Sequence, residues 1–205
     1  MKIIILFSLI IWTGVCLADE DTNIVAMSDW SKPVSYTEPG KQYGSTIRGR
    51  LIIRKEFSPR YGGQTPETAV HVELQNLSMD SCELFFSDVQ GLRCELSNAN
   101  DKPIRSGPSL YGNGPGPVAT SSWVILPYDS SIRLRVNTIG GSPSDHSLFI
   151  RLYSGEWSIP AGDTNDYYLS GTLNVSSPTN HVASPDIKNW QGILVFPKMK
   201  ILVPK

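Results

Sequence analysis

Apolar and polar residues alternate with a period of two along most of the chain, the mark of strands with one buried face. In "STIRGRLIIRKEF", Ile47, Gly49, Leu51 and Ile53 share one face, and Arg48, Arg50 and Arg54 share the other. In "TAVHVELQN", Val70, Val72 and Leu74 oppose His71, Glu73 and Gln75. "SIRLRVN" sets Ile132, Leu134 and Val136 against Arg133, Arg135 and Asn137. "DYYLSGTLNV" sets Tyr167, Leu169, Leu173 and Val175 against Tyr168, Ser170, Thr172 and Asn174. Further strands are expected at Cys82–Phe86, Leu92–Leu96, Trp123–Leu126, Ser147–Tyr153 and Ile193–Val203. Pro197 interrupts the last of these and requires an edge, a bulge or a break there.

No window repeats apolar residues at helical spacing beyond two turns. Eight or nine short strands with one apolar face each need a second layer to cover that face. The reading is therefore an all-β chain, a β-sandwich ahead of any α/β fold, with a closed barrel still open. Fifteen prolines and seventeen glycines agree with many short elements joined by turns.

The N-terminus breaks the pattern. Lys2 precedes an apolar run from Ile3 to Trp12, and Cys16-Leu17-Ala18 closes it. This charge, apolar core and small-residue order is that of a signal peptide cleaved after Ala18. The run is shorter than the roughly 20 residues of a membrane span. A lipoprotein signal cleaved before Cys16 is the rival, disfavoured by Val15 in the position usually held by Gly, Ala or Ser. The domains expected are 1–18 as signal peptide, 19–43 as an N-terminal extension around the fold, and 44–205 as the β-sandwich. The expected location is secreted or periplasmic. Without residues 1–18 the chain keeps 187 residues, with 17 Lys+Arg against 19 Asp+Glu. A net charge of −2 is no footprint for nucleic acid or an anionic membrane.

Cys82 and Cys94 remain after that cleavage. On the alternation, Cys82 shares a face with Leu84 and Phe86, and Cys94 with Leu92 and Leu96, so both sulfurs point inward. No ligand cluster accompanies them, and their spacing is not C-x-x-C. In an oxidising compartment they are expected to form one disulfide, with a pair of buried thiols as the alternative.

Candidate chemistry is thin. His71 falls on the polar face of a strand, and His146 and His181 fall in turn-rich segments, all expected to be scattered surface residues. "GGSPS" at Gly140–Ser144 lacks the closing glycine of a nucleophile elbow. H-E-x-x-H and P-loop patterns are absent. "GNGPGP", Gly112–Pro117, has prolines where a phosphate cradle needs N–H donors. Within the long interruption Ser106–Ser122, Tyr111 and Asn113 are the expected binding-loop contacts. "PAGDTND" gathers Asp163, Asn165 and Asp166, read as an Asx turn feeding the Tyr167 strand rather than a calcium site. Asn76-Leu77-Ser78 and Asn174-Val175-Ser176 match the N-glycosylation acceptor pattern. No carboxylate pair stands out for glycoside hydrolysis.

"VELQNLSMDSCELFFSDVQGLRCELSNANDKPI", Val72–Ile104, orders strand, Asn-x-Ser turn, strand, Gly-Leu-Arg, strand and polar turn. This stretch, with "WVILPYDSSIRLRV" and "GEWSIPAGDTNDYYLSGTLNV", resembles bacterial secreted immunoglobulin-like domains of unknown function. It is more distantly similar to the bacterial intracellular proteinase-inhibitor family. The resemblance covers roughly Ile47 to Val203 and implies an immunoglobulin-like Greek-key β-sandwich with no established activity. Inhibition does not carry over, because no inhibitory loop motif matches and the export signal departs from an intracellular role. The expectation is a non-enzymatic binding or structural module with no cofactor or metal, facing an unknown protein or glycan partner. An extracellular carbohydrate-active hydrolase and a secreted protease inhibitor are the competing readings.

Overall fold

The computed structural model describes residues 23–37, 39–40, 42–57, 66–87, 92–107, 121–141, 148–152, 155–160, 162–176 and 187–201. Among them are thirteen strands and no helix. The chain is all-β. The count exceeds the expected eight or nine because β1 (Ile24–Met27), β2 (Val34–Tyr36) and β12 (Lys188–Asn189) are too short to show a period. β10 (Gly155–Ile159) was also not among the expected strands.

The largest sheet is antiparallel and orders β1, β3 (Ser45–Phe57), β4 (Pro66–Asn76), β8 (Ser131–Gly141), β9 (Leu148–Leu152) and β10, with β2 also on β3. β1 and β2 pair with opposite halves of β3, Met27 across from Ile52 and Val34 across from Ile47. Residues of the stretch read as an extension thus form one interrupted edge strand. A second sheet orders β13 (Gly192–Ile201), β11 (Tyr167–Val175) and β6 (Leu92–Asn98). A third orders β12, β5 (Cys82–Ser87) and β7 (Ser121–Leu126).

Inward-facing residues of all three sheets meet in one core that includes Ile47, Leu51, Val72, Leu84, Leu96, Leu126, Leu169, Trp190 and Phe196. The large sheet lies against β13 through Gly49. A Cβ there would come within 2.8 Å of the Phe196 ring and 2.9 Å of Leu74. Only a missing side chain lets the Phe196 ring close on β3. Pro197 satisfies its constraint twice over. β13 is an edge strand, and its register against β11 slips between Phe196 and Met199, which places Pro197 in a bulge.

Two expectations need correction. The Cys82–Cys94 disulfide is not formed. Both side chains are buried as the alternation required, but they stand on strands of different sheets. Cys94 packs across from Gly171 of β11, where a Cβ would lie 3.0 Å from its sulfur. Burial pushes both thiols up to about 12, so they are held protonated. His71, expected at the surface, is buried on β4 between Ile52 of β3 and Arg135 of β8. Its face of the sheet is polar in sequence, yet Ile52 and Ala69 on that face are also wholly buried.

Candidate functional site

The best-built surface lies at one end of the fold, where β3, β5, β8 and β12 begin and β4 and β7 finish. Asn76, the last residue of β4, is buried there. Its Nδ2 donates to the carbonyls of Asp80 at 2.8 Å, Leu126 at 3.0 Å and Pro127 at 3.1 Å. Its Oδ1 accepts from the Ser78 N–H at 2.9 Å. One amide side chain therefore ties the 77–81 turn to the 127–130 turn. The Leu77 N–H donates to the Thr46 carbonyl, and the Thr46 N–H to Ser78 Oγ, joining the same turn to β3. Lys188 at the start of β12 pairs with Asp80 and lies 5.8 Å from the Tyr43 ring centroid.

This locked end exposes large apolar side chains. Met79 is 89% exposed, Tyr43 65%, Tyr128 60% and Leu77 38%. An apolar residue at a turn tip is held out by its neighbours' hydrogen bonds, since folding back would break them. Single exposed hydrophobics are ordinary, but several converging on one rigid end mark a contact surface. Asp129, in the left-handed region at φ 49°, turns the chain directly after Tyr128.

The residues singled out in the sequence distribute differently. Tyr111, Asn113, the Gly112–Pro117 cluster, His146, His181, Cys16 and the leader lie outside the described residues. Asp163 forms the expected turn. Its Oδ1 accepts from the Asn165 N–H at 2.8 Å, two residues on, and Oδ2 accepts from the Tyr167 hydroxyl at 2.8 Å. These bonds, led by the Asn165 N–H, hold the Asp163 carboxyl below its ordinary range. Of the two acceptor asparagines, Asn76 spends its amide nitrogen on three carbonyls, whereas Asn174 is exposed on β11. Among the described residues, no group of three or more His, Cys, Asp or Glu is placed to hold a metal ion, and no helix is long and apolar enough to cross a membrane.

Several other carboxylates are committed to cations. Glu73 meets Arg50 and Arg133, Asp101 meets Lys198, and Asp166 meets Lys200 at 2.8 Å. Comparison of the chain with protein families, curated proteins and solved structures finds no match in any of the three. The site therefore rests on its own geometry.

Sequence reading missed Tyr43, Leu77, Met79 and Tyr128 because each stands alone among turn residues. The available signal was the repeat of that situation: three separate turns, each with a large apolar side chain beside Ser, Asp, Gly or Pro.

Proposed function

We propose that the chain is a secreted, non-enzymatic binding module on an immunoglobulin-like Greek-key β-sandwich. In this reading it engages a protein or glycan partner through the end bearing Tyr43, Leu77, Met79 and Tyr128. The observation that carries it is the exposure of Leu77, Met79 and Tyr128 on two turns that Asn76 locks together, with Tyr43 exposed beside Lys188. Tyrosine rings and a flexible methionine offer apolar area with polar tips, a composition suited to contact surfaces. Loops at one end of a stacked-sheet fold are the usual place for ligand contact. The Greek-key element draws support from the antiparallel pairing of β4 with β8 and β6 with β11, each across intervening strands. Export rests on the leader reading of residues 1–18.

The test is binding of the chain from Asp19 to arrays of peptides and glycans, beside Met79→Ser and Tyr128→Ala. Specific hits weakened by both substitutions, with no product released, support the reading. Hits indifferent to both substitutions, or turnover of a bound glycan or peptide, refute it.

A further inference from the structure

A second surface lies on the outward face of the large sheet, beside the interrupted edge strand. Ser28 and Ser31 are buried and carry the ladder across the gap between β1 and β2. Their backbone N–H groups donate to Leu51 and Gly49 carbonyls at 3.0 and 2.7 Å. Their hydroxyl oxygens accept from the Leu51 and Gly49 N–H groups, both at 3.0 Å. Pinned between them, Trp30 sits against Arg48 and Arg50, whose guanidinium carbons are 4.5 and 4.3 Å from its ring centroid. Residues two apart on one strand share a face and lie roughly 7 Å from one another, so both guanidinia can reach the same ring. Arg48 Nε donates to Gln75 at 2.8 Å and Arg50 Nε to Glu73 at 2.5 Å. Arg133 Nη2 reaches the other Glu73 oxygen at 3.3 Å.

Arg50 and Arg133 share the Glu73 carboxylate, and among the described residues no acid meets Arg48. The charge sits beside neutral hydrogen-bonding groups on the same face. Ser35 pairs with Thr46, and Gln75 stands between Arg48 and Ser131.

We propose that this face binds an acidic polysaccharide, its carboxylate or sulfate groups meeting the guanidinium forks and its hydroxyls meeting Ser35, Thr46, Gln75 and Ser131. Forked guanidinia suit such anions bidentately. The neutral hydroxyl and amide groups beside the guanidinia favour a sugar chain over a polyphosphate, which has no hydroxyls to meet them. Thr46 and Ser131 border the apolar end, whereas the guanidinium contacts that carry the inference are separate from its four exposed apolar side chains.

The experiment measures binding of the chain from Asp19 to heparin, polygalacturonate, neutral dextran and a single-stranded oligonucleotide, at two salt concentrations. Expected is salt-sensitive binding to at least one acidic polysaccharide, weaker for the oligonucleotide and absent for dextran. Arg48→Gln should lose about tenfold in affinity, the worth of one charge-assisted contact. Arg48→Lys should lose less, and Met79→Ser nothing. Thermal melts of each variant establish that it is folded. No binding to either polysaccharide, tighter binding to the oligonucleotide, or undiminished affinity in folded Arg48→Gln overturns the proposal. Loss on Met79→Ser overturns it too, by moving the contact to the apolar end.

Discussion

Replacing Asn76 with alanine should destabilise the protein more than any other single change at its apolar end. The side chain has two N–H protons and one carbonyl, and it serves four backbone partners: the Asp80, Leu126 and Pro127 carbonyls and the Ser78 N–H. Counting one bond per proton and one for the carbonyl gives three hydrogen bonds at about 1 kcal/mol each, hence about 3 kcal/mol. The backbone groups left behind are partly buried and add to this if water cannot reach them. For a chain of this size the loss lowers Tm by roughly 6–12 °C. Asn76→Asp keeps the shape but turns an acceptor oxygen toward three carbonyls, so its cost should equal or exceed that of alanine. Urea unfolding followed by circular dichroism measures both. If Asn76→Ala shifts stability by less than about 0.5 kcal/mol, or Asn76→Asp is harmless, the side chain is not the tie described here. The same bonds predict that folded protein from a glycosylating host is unmodified at Asn76.

Further outcomes follow from other parts of the fold. Cys82 and Cys94 should resist alkylation in the native protein at neutral pH and give two thiols on denaturation without reductant, because burial holds both protonated; recovery of a disulfide-linked peptide would contradict the structure. Gly49→Val should cost roughly 1–3 kcal/mol in urea unfolding by overpacking, since even its Cβ falls 2.8 Å from Phe196, and a neutral result would mean the sheets part easily. The Asp163 carboxyl is depressed, so its contribution is present above the ordinary aspartate range and fades as pH falls through the folded value. Tyr167 is raised, first by its hydrogen bond to Asp163, so its contribution holds below the ordinary tyrosine range and fades as pH rises through the folded value. Tyr167→Phe should therefore move the Asp163 NMR titration upward, and an unchanged midpoint would dismiss that bond.

Strand faces were legible because burial writes a period of two. The residues that β3, β4 and β11 send into the core are those the alternation named, and Pro197 sits where its missing N–H allows. The Asp163 turn was legible because its bond spans two residues. What escaped depends on which segments meet. Nothing local tells that Asn76 reaches Pro127, fifty-one residues away, or that Trp30 meets both Arg48 and Arg50. The cysteines show the same limit. Their inward direction was local information, whereas their pairing depended on which sheet each strand joined. Arg48, Arg50 and Arg133 were each read as ordinary polar-face residues, and only the register through Glu73 groups them.

Site-specific photo-cross-linking in the producing organism tests the central claim most directly. A photoreactive residue is placed at Met79, at Tyr128, or at Glu95, which is exposed on β6 away from that end. The account predicts one and the same adduct from positions 79 and 128 and none from 95. Equal labelling from 95, or no adduct from either turn, would contradict it.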